Sequence, residues 1–367
     1  MQLKIVARGE RSRFWSYGAP VLAVLATLVV TGVIFALLGR NPFVALFTFF
    51  VQPLLNQDGI PELLLKASPL ITIAVGLVLC YRANVWNIGA EGQLTLGAIA
   101  GGGVGLAFPD APAGLLFPAM MIAGVIGGAL WAAIPAWLRT QFNANEILTS
   151  LMLTYVAQLL LLYLISGPWR DPEGLGFPQT AEFSDSATAP LLIAGTRLHI
   201  GVLFAPLVAI AVQWILTRTV LGFQLRVVGY APRAARFAGF REKRLIWIAM
   251  LTSGGLAGLA GLFEAAGPVG QLTADISPGY GFTAIIVAFL GRLNPLGAIL
   301  GGLLLALSFL GGDEAQIDLG LPNAVTGIFQ GVLLFMLLGA DLLVSYRVKL
   351  IRNAKPAPVA QLAEKHP

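Results

Sequence analysis

The sequence predicts an all-α polytopic membrane protein with about ten transmembrane helices, some short or broken, and with both termini cytoplasmic. Three observations lead to this fold class: the composition, the spacing of apolar stretches and the distribution of charge between them. Of the 367 residues, 57% are hydrophobic and only 11% are charged, and the mean hydropathy is +0.81. Because a soluble domain carries about 25% charged residues, this chain requires a lipid bilayer as its solvent.

Apolar stretches of roughly the length that crosses a hydrocarbon core recur along the chain. They lie near 20–38, 62–80, 88–107, 113–138, 146–166, 200–218, 245–266, 281–291, 295–311 and 323–343. The eighth is too short to span as a regular helix, and the interrupted apolar stretch 43–57 predicts an interfacial or re-entrant segment. The first follows four basic residues like a signal peptide, but Gly39-Arg40-Asn41-Pro42 is a poor cleavage site, so we expect an uncleaved span.

The charges between these stretches follow the positive-inside rule. The loop 219–244 holds six basic residues against one acidic residue, whereas the loop 167–198 holds four acidic residues against two basic ones. We therefore expect a cytoplasmic segment over 1–19, a single transmembrane domain over 20–345 and a cytoplasmic tail over 346–367. In this topology the loop 219–244 is cytoplasmic and the loop 167–198 lies outside.

Glycine and proline interrupt the apolar pattern at Gly267-Pro268 and at Pro278-Gly279. Irregular backbone at membrane depth survives only where protein or a water-filled cavity covers it, and in transporters it lies near the substrate path. The breaks therefore predict discontinuous helices, with a simple kink in a helix bundle as the alternative. Glycine pairs four residues apart predict close helix packing; they are Gly97/Gly101/Gly105, Gly124/Gly128, Gly254/Gly258 and Gly297/Gly301.

One polar constellation begins the third apolar stretch. Its members share one stripe at helical spacing: Asn84, Asn87, Glu91 and Thr95. A carboxylate at membrane depth costs a few kcal/mol, so it normally faces a bundle interior or a cavity. One hypothesis is that the stripe lines or gates a translocation path. The alternative is a buried structural network, in which helix N–H groups cap Glu91 or Arg82 pairs with it.

A second constellation lies in the basic loop 219–244. Pro232 suits the first turn of a helix and Gly239 suits its end. On that helix an arginine–aromatic face forms opposite small alanines, comprising Arg233, Arg236, Phe237 and Phe240. Such a face is typical of a short helix that docks in a groove of a partner protein. The alternative is a basic loop that adsorbs to anionic lipid.

Several classes of function are disfavoured by what the sequence lacks. It contains no Gly-x-x-x-x-Gly-Lys-Ser/Thr phosphate-binding loop, so if ATP drives this protein, another subunit binds it. With one cysteine, Cys80, and two histidines, the composition disfavours a metal site built on these residues. An ion-coupled transporter requires a relay of titratable groups, which the spans scarcely supply beyond Glu91. Glu264 and Asp275 are weaker candidates for contact with a solute that enters from outside.

Four segments resemble one known family. Residues 84–93, Asn-Val-Trp-Asn-Ile-Gly-Ala-Glu-Gly-Gln, resemble the signature of nucleoside permeases in the branched-chain-amino-acid/ribose-type family of ABC importers. Residues 145–155 and 276–297 resemble further blocks of that group, and residues 229–239 resemble its ATPase-coupling segment. Together these blocks extend over most of the chain, from about residue 60 to residue 345.

The resemblance implies a non-catalytic permease subunit that pairs with a second permease, expected as a heterodimer, in a bacterial inner membrane. It further implies a cytoplasmic ATPase subunit that binds ATP and Mg²⁺, an extracytoplasmic substrate-binding protein, and no nucleic acid. The implied solute is nucleoside-like, with riboflavin or a simple sugar as alternatives. The chain departs from many relatives at Ala231, Thr154 and Thr283, and the last two departures bear on which solute fits.

Overall fold

A computed structural model describes residues 2–7, 13–174, 176–322 and 324–351, so most of the predicted tail lies outside the described residues. Fourteen α-helices are described within these ranges. They are α1 (Arg13–Leu37), α2 (Pro42–Phe50), α3 (Gln52–Leu55), α4 (Gly59–Arg82), α5 (Ala90–Ala107), α6 (Ala113–Phe142), α7 (Glu146–Ser166), α8 (Gly201–Arg218), α9 (Val220–Tyr230), α10 (Pro232–Phe237), α11 (Glu242–Glu264), α12 (Tyr280–Leu290), α13 (Pro295–Leu319) and α14 (Ala324–Ser345).

Each of the ten predicted apolar stretches forms a helix, which confirms the helical membrane fold class. Among the described residues, eight helical segments are long and apolar enough to cross a membrane. They are Gly18–Leu37, Gly59–Arg82, Ala113–Phe142, Glu146–Ser166, Gly201–Arg218, Glu242–Val269, Pro295–Leu319 and Ala324–Leu342. The remaining two predicted stretches are α5, whose first turns carry Glu91 and Gln93, and the 11-residue α12.

The chain divides into two compact units. The smaller comprises Met1–Thr31 and Gly331–Pro367, and the larger comprises Gly32–Gln330. In the smaller unit the strands β1 (Gln2–Ala7) and β2 (Tyr346–Ile351) pair antiparallel, with Gln2 opposite Ile351. No pattern in the sequence predicts this pair. The expectation of one transmembrane domain over 20–345 stays a prediction.

Side-chain caps and left-handed residues set several helix boundaries in the larger unit. Asn145 caps α7 by accepting hydrogen bonds from the backbone N–H groups of Ile147 and Leu148, and Asn294 caps α13 in the same way, directly before Pro295. These amides satisfy N–H groups that have no partner inside the helix. Asn143 follows α6 in the left-handed conformation, which asparagine tolerates better than most residues.

The core of the larger unit is built around α11, which packs against α4, α5 and α6 at glycines. A Cβ atom on Gly97 of α5 would overlap the backbone of Gly258 on α11. A Cβ atom on Gly128 of α6 would overlap the backbone of Gly254. The predicted close packing at these glycines is confirmed, because the backbones approach at distances that no side chain allows.

The predicted break after α11 is also confirmed. The helix continues into a π-helical turn, Ala265–Val269, and the chain then runs irregularly from Gly270 to Gly279, both in the left-handed region. The loop 167–198 covers this segment: Thr180 N–H donates to the Leu272 carbonyl at 3.0 Å and Phe183 N–H donates to the Gly270 carbonyl at 2.8 Å. The irregular backbone therefore finds partners in protein, as its depth requires.

Candidate functional site

The predicted helical stripe from Asn84 to Thr95 does not form, because α5 begins only at Ala90. Asn84 has a φ of 55°, in the left-handed region. This conformation closes α4, since Val85 N–H turns back to the Cys80 carbonyl at 2.9 Å. The expectation that Asn84 and Asn87 continue the face of α5 is therefore wrong, and residues 84–89 form a turn and an extended segment before it.

Asn84 lies apart from the other three members of the constellation. Its side chain is exposed and accepts a hydrogen bond from Trp86 Nε1 at 3.2 Å. The backbone N–H of Trp86 donates to the Glu146 carboxylate at 3.2 Å, and Arg139 forms an ion pair with the same carboxylate. Asn84 therefore belongs to the junction of α4, α6 and α7.

Asn87 is fully buried in an amide network between the start of α5 and α11. Its amide exchanges two hydrogen bonds with Gln93, at 2.8 and 2.9 Å, and donates a third to Ser253 Oγ at 3.1 Å. Its Oδ1 also accepts from Gly89 N–H at 3.2 Å. Because the buried amide is well satisfied within the chain, it stabilises the approach of α5 to α11.

Glu91 lies in the first turn of α5, and its carboxylate caps the first turn of α12. Glu91 Oε2 accepts a hydrogen bond from the backbone N–H of Gly281 at 2.6 Å. The Ser277 hydroxyl and the backbone N–H group of Phe282 face the same carboxylate. A negative group at a helix N-terminus is favoured both by these unpaired N–H groups and by the helix dipole.

The alternative pairing of Glu91 with Arg82 is wrong, because Arg82 Nε instead donates to the Leu293 carbonyl at 3.0 Å. Thr95 is buried one turn after Glu91, and its hydroxyl donates to the Glu91 carbonyl at 3.0 Å. Thr95 therefore hydrogen-bonds within its own helix.

A second contact holds the first turn of α12 from its other side. Thr283 donates to Gln330 Oε1 at 3.0 Å, and Gln330 donates in turn to Ser308 Oγ at 3.3 Å. All three side chains are buried. Helices α5, α13 and α14 thus fix the start of a helix that follows an irregular segment. The arrangement can set the position of α12 but presents little free polar surface.

Helix α10 forms where the basic loop predicts it, between Pro232 and Gly239, whose φ of 77° ends the helix. Phe237 is 95% exposed, and Arg233 and Ala234 are also exposed, whereas Ala235 is buried. An apolar ring that is almost wholly exposed beside basic side chains fits a groove on another molecule.

Two members of the predicted docking face have partners inside the chain. Arg236 forms an ion pair with Glu242 at 3.1 Å. Phe240 follows the end of α10 and packs edge-on against Phe223 of α9, with ring centroids 6.1 Å apart. The freely presented part of the face therefore comprises Arg233 and Phe237, while Arg236 and Phe240 hold α10 against its neighbours.

Sequence reasoning did not single out the partners that complete these networks. Gln93 and Ser253 hydrogen-bond to Asn87, and the Ser277 hydroxyl faces Glu91. Ser253 and Ser277 are far from these partners in sequence, and Gln93 directly follows Gly92. Gln330 was equally unrecognised. An uncharged polar residue inside an apolar stretch is the signal that marks Gln93, Ser253 and Gln330, whereas Ser277 lies in the irregular segment before α12.

Comparison with known protein families finds a family model that matches most of the chain. The family model described as the permease component of branched-chain amino acid transport systems matches residues 59–338. This range includes the Glu91 cap and α10.

Similar proteins differ in the solute that they are named for. A glucose ABC transporter permease of Haloferax volcanii is 40% identical, covering 98% of this chain and 97% of that protein. A guanosine ABC transporter permease of Bacillus subtilis is 32% identical, over 74% and 79% of the two chains. A probable riboflavin import permease of Treponema pallidum is 30% identical, over 74% and 72%.

Proposed function

The chain belongs to the permease-component family of branched-chain amino acid transport systems, and from this premise we propose that it lines the membrane path of an ATP-driven importer for a small neutral solute. A second permease subunit completes the path, and an extracytoplasmic binding protein delivers the solute. ATP and Mg²⁺ bind to a cytoplasmic ATPase, so that this chain performs no catalysis and holds no cofactor. The assembly resides in the cytoplasmic membrane, the inner membrane of a bacterium.

The observation that carries this proposal is the exposed Phe237 on α10, with Arg233 one turn before it. A side chain of this size costs about 1.5–3 kcal/mol when it is left in water rather than buried. The adjacent basic groups keep the surface from entering hydrocarbon deeply. A groove on the ATPase that takes the ring and pairs with the guanidinium accounts for both features.

Co-purification of the ATPase with the permease tests this role. We expect Phe237→Ala to release the ATPase or to uncouple hydrolysis from uptake, at a cost of about 2 kcal/mol or more if the ring is a hot spot. The matched control is Phe177→Ala, which removes an exposed ring from the outer loop. Normal assembly and uptake in the Phe237 variant would leave the loop as a lipid-adsorbing segment.

A simple sugar is the first candidate solute, because the glucose permease relative is similar over almost the whole chain. A nucleoside is the second, since residues 84–93 resemble the nucleoside-permease signature and the guanosine permease is also similar. Both are neutral rings that carry hydrogen-bonding groups. Stimulation of ATPase activity in the reconstituted importer, measured with glucose, guanosine and riboflavin in turn, decides between them.

The proposed orientation places the loop 167–198 outside and the loop 219–244 inside. Glu182 in the first of these loops and Ala234 in the second are exposed and serve as reporter positions. In a Cys80→Ser background, a cysteine at position 182 reacts with an impermeant reagent added outside, and a cysteine at position 234 does not. The reverse pattern would invert the topology.

A further inference from the structure

Helix α7 is packed on one side only. The buried face, which includes Ser150, Thr154 and Ala157, lies against the start of α5, where Gly89 and Gly92 allow close approach. Of the eight membrane-spanning segments described, α7 has the smallest buried share, 22%. Most of its surface therefore faces something other than this chain.

The uncovered face of α7 carries a polar group close to the middle of the 21-residue helix. Gln158 is exposed, and within the described residues nothing hydrogen-bonds its amide. Tyr155, one turn before it, is 56% exposed. Transfer of an amide without a hydrogen-bonding partner from water to hydrocarbon is unfavourable, so lipid is an unfavourable neighbour for this position.

Other exposed faces of the bundle differ in this respect. The central exposed residues of α6 and α8 are aliphatic, as Leu130 and Ile210 illustrate. Such faces match lipid tails at no cost. The same face of α7 also exposes Val156, Leu159 and Leu162, so Gln158 is a polar exception near its middle. A polar group inside a membrane span normally faces a bundle interior or a water-filled cavity, and this exception therefore indicates that Gln158 meets water and solute.

We infer that Gln158 and Tyr155 contact the transported solute and contribute to its selection. This inference rests on the proposed import function and names residues for it. The glutamine amide both donates and accepts hydrogen bonds, and the tyrosine ring offers a flat apolar face with a polar edge. Together they suit a neutral ring that carries hydroxyl or amide groups, such as a sugar or a nucleoside, better than an ion.

Thiol accessibility in the complete reconstituted importer tests the placement. In a Cys80→Ser background we expect Gln158→Cys to react with a water-soluble methanethiosulfonate, at a rate several-fold lower in saturating glucose or guanosine. Ile210→Cys has a similarly exposed position on α8 and should react only with a membrane-soluble maleimide. Ala157→Cys, on the buried face, should react with neither.

Two outcomes would overturn the inference. Reaction of Gln158→Cys with the membrane-soluble reagent alone would place the face in lipid. Protection from both reagents, with oxidative cross-linking to the second permease subunit, would make it a subunit interface instead.

A transport assay supplies an independent readout. We expect Gln158→Leu to raise the KM for uptake of the transported probe at least tenfold, with Gln158→Asn intermediate and Ile210→Val unchanged. An unaltered KM in Gln158→Leu, while the wild-type importer transports, would refute the role of Gln158. Absence of ATP-dependent uptake by the wild type, with both probes, would instead refute the proposed function.

Discussion

The segment 84–95 and the helix α10 are the two places where the sequence predicts a functional site, and their side chains are used in opposite ways. Asn87 and Glu91 are buried, and backbone or side-chain groups of the same chain satisfy their polar atoms. Phe237 is exposed to solvent almost completely. A side chain that finds its partners within its own chain contributes to the fold, whereas one that finds none is available to another molecule. The following substitutions test this division through the stability of the folded chain.

Gly97→Ala is expected to have the largest effect. Its methyl group would overlap the backbone of Gly258, so α5 and α11 must separate, at a cost of up to about 3 kcal/mol. The control is Gly114→Ala in the first turn of α6, where nothing lies within 4 Å of the added methyl group. Because alanine loses less backbone entropy on folding than glycine does, this substitution should stabilise the helix slightly. Thermal unfolding in detergent measures both, and equal unfolding midpoints would contradict the close packing.

Glu91→Ala comes next. It leaves Gly281 N–H and its neighbours without an acceptor inside protein, which lowers the free energy of unfolding by about 2 kcal/mol. Glu91→Gln retains an acceptor oxygen but loses the charge that favours the start of α12, and should cost about 1 kcal/mol.

Uptake per assembled complex separates the cap from a gate in the same two variants. Full specific activity in Glu91→Gln would remove the gate hypothesis and leave the structural role. Unchanged thermal midpoints in both variants would instead contradict the cap.

Ser253→Ala has a smaller expected effect. The substitution removes one of the hydrogen bonds to the Asn87 amide, although Gln93 still pairs with that amide, so the loss is about 1 kcal/mol. Thr252→Ala, on the exposed side of the same helix, is the matched control and should change the thermal midpoint little. Equal thermal midpoints for the Ser253 and Thr252 variants would contradict the contribution of the Ser253 hydrogen bond.

Phe237→Ala has the smallest expected effect on the isolated permease, within about 0.5 kcal/mol, because the ring contacts little of its own chain. The same variant should nevertheless lose the ATPase. Calorimetry of the permease alone, beside co-purification of the assembly, measures the two effects separately. A marked drop in the thermal midpoint would instead show that Phe237 stabilises the fold of its own chain, as Glu91 does.

Much of the fold could be predicted because the signals are local. Apolar length identified ten of the fourteen described helices, and the proline–glycine pattern identified α10 and the break between α11 and α12. The prediction of one helical stripe over 84–95 was wrong because Asn84 adopts the left-handed conformation and ends α4. Helix α5 therefore begins only at Ala90. Spacing alone cannot show where a helix starts when the preceding residues are equally compatible with it.

By itself the sequence determined the solvent of this protein, the positions of ten apolar helices and the position of an exposed basic helix. These properties follow from composition and from neighbours along the chain. Only the tertiary structure decided that Glu91 caps α12, that Asn87 pairs with Gln93 and Ser253, and that Gln158 remains uncovered. Burial and hydrogen bonding depend on which segments meet in space, and Glu91 meets Gly281 across 190 residues of chain.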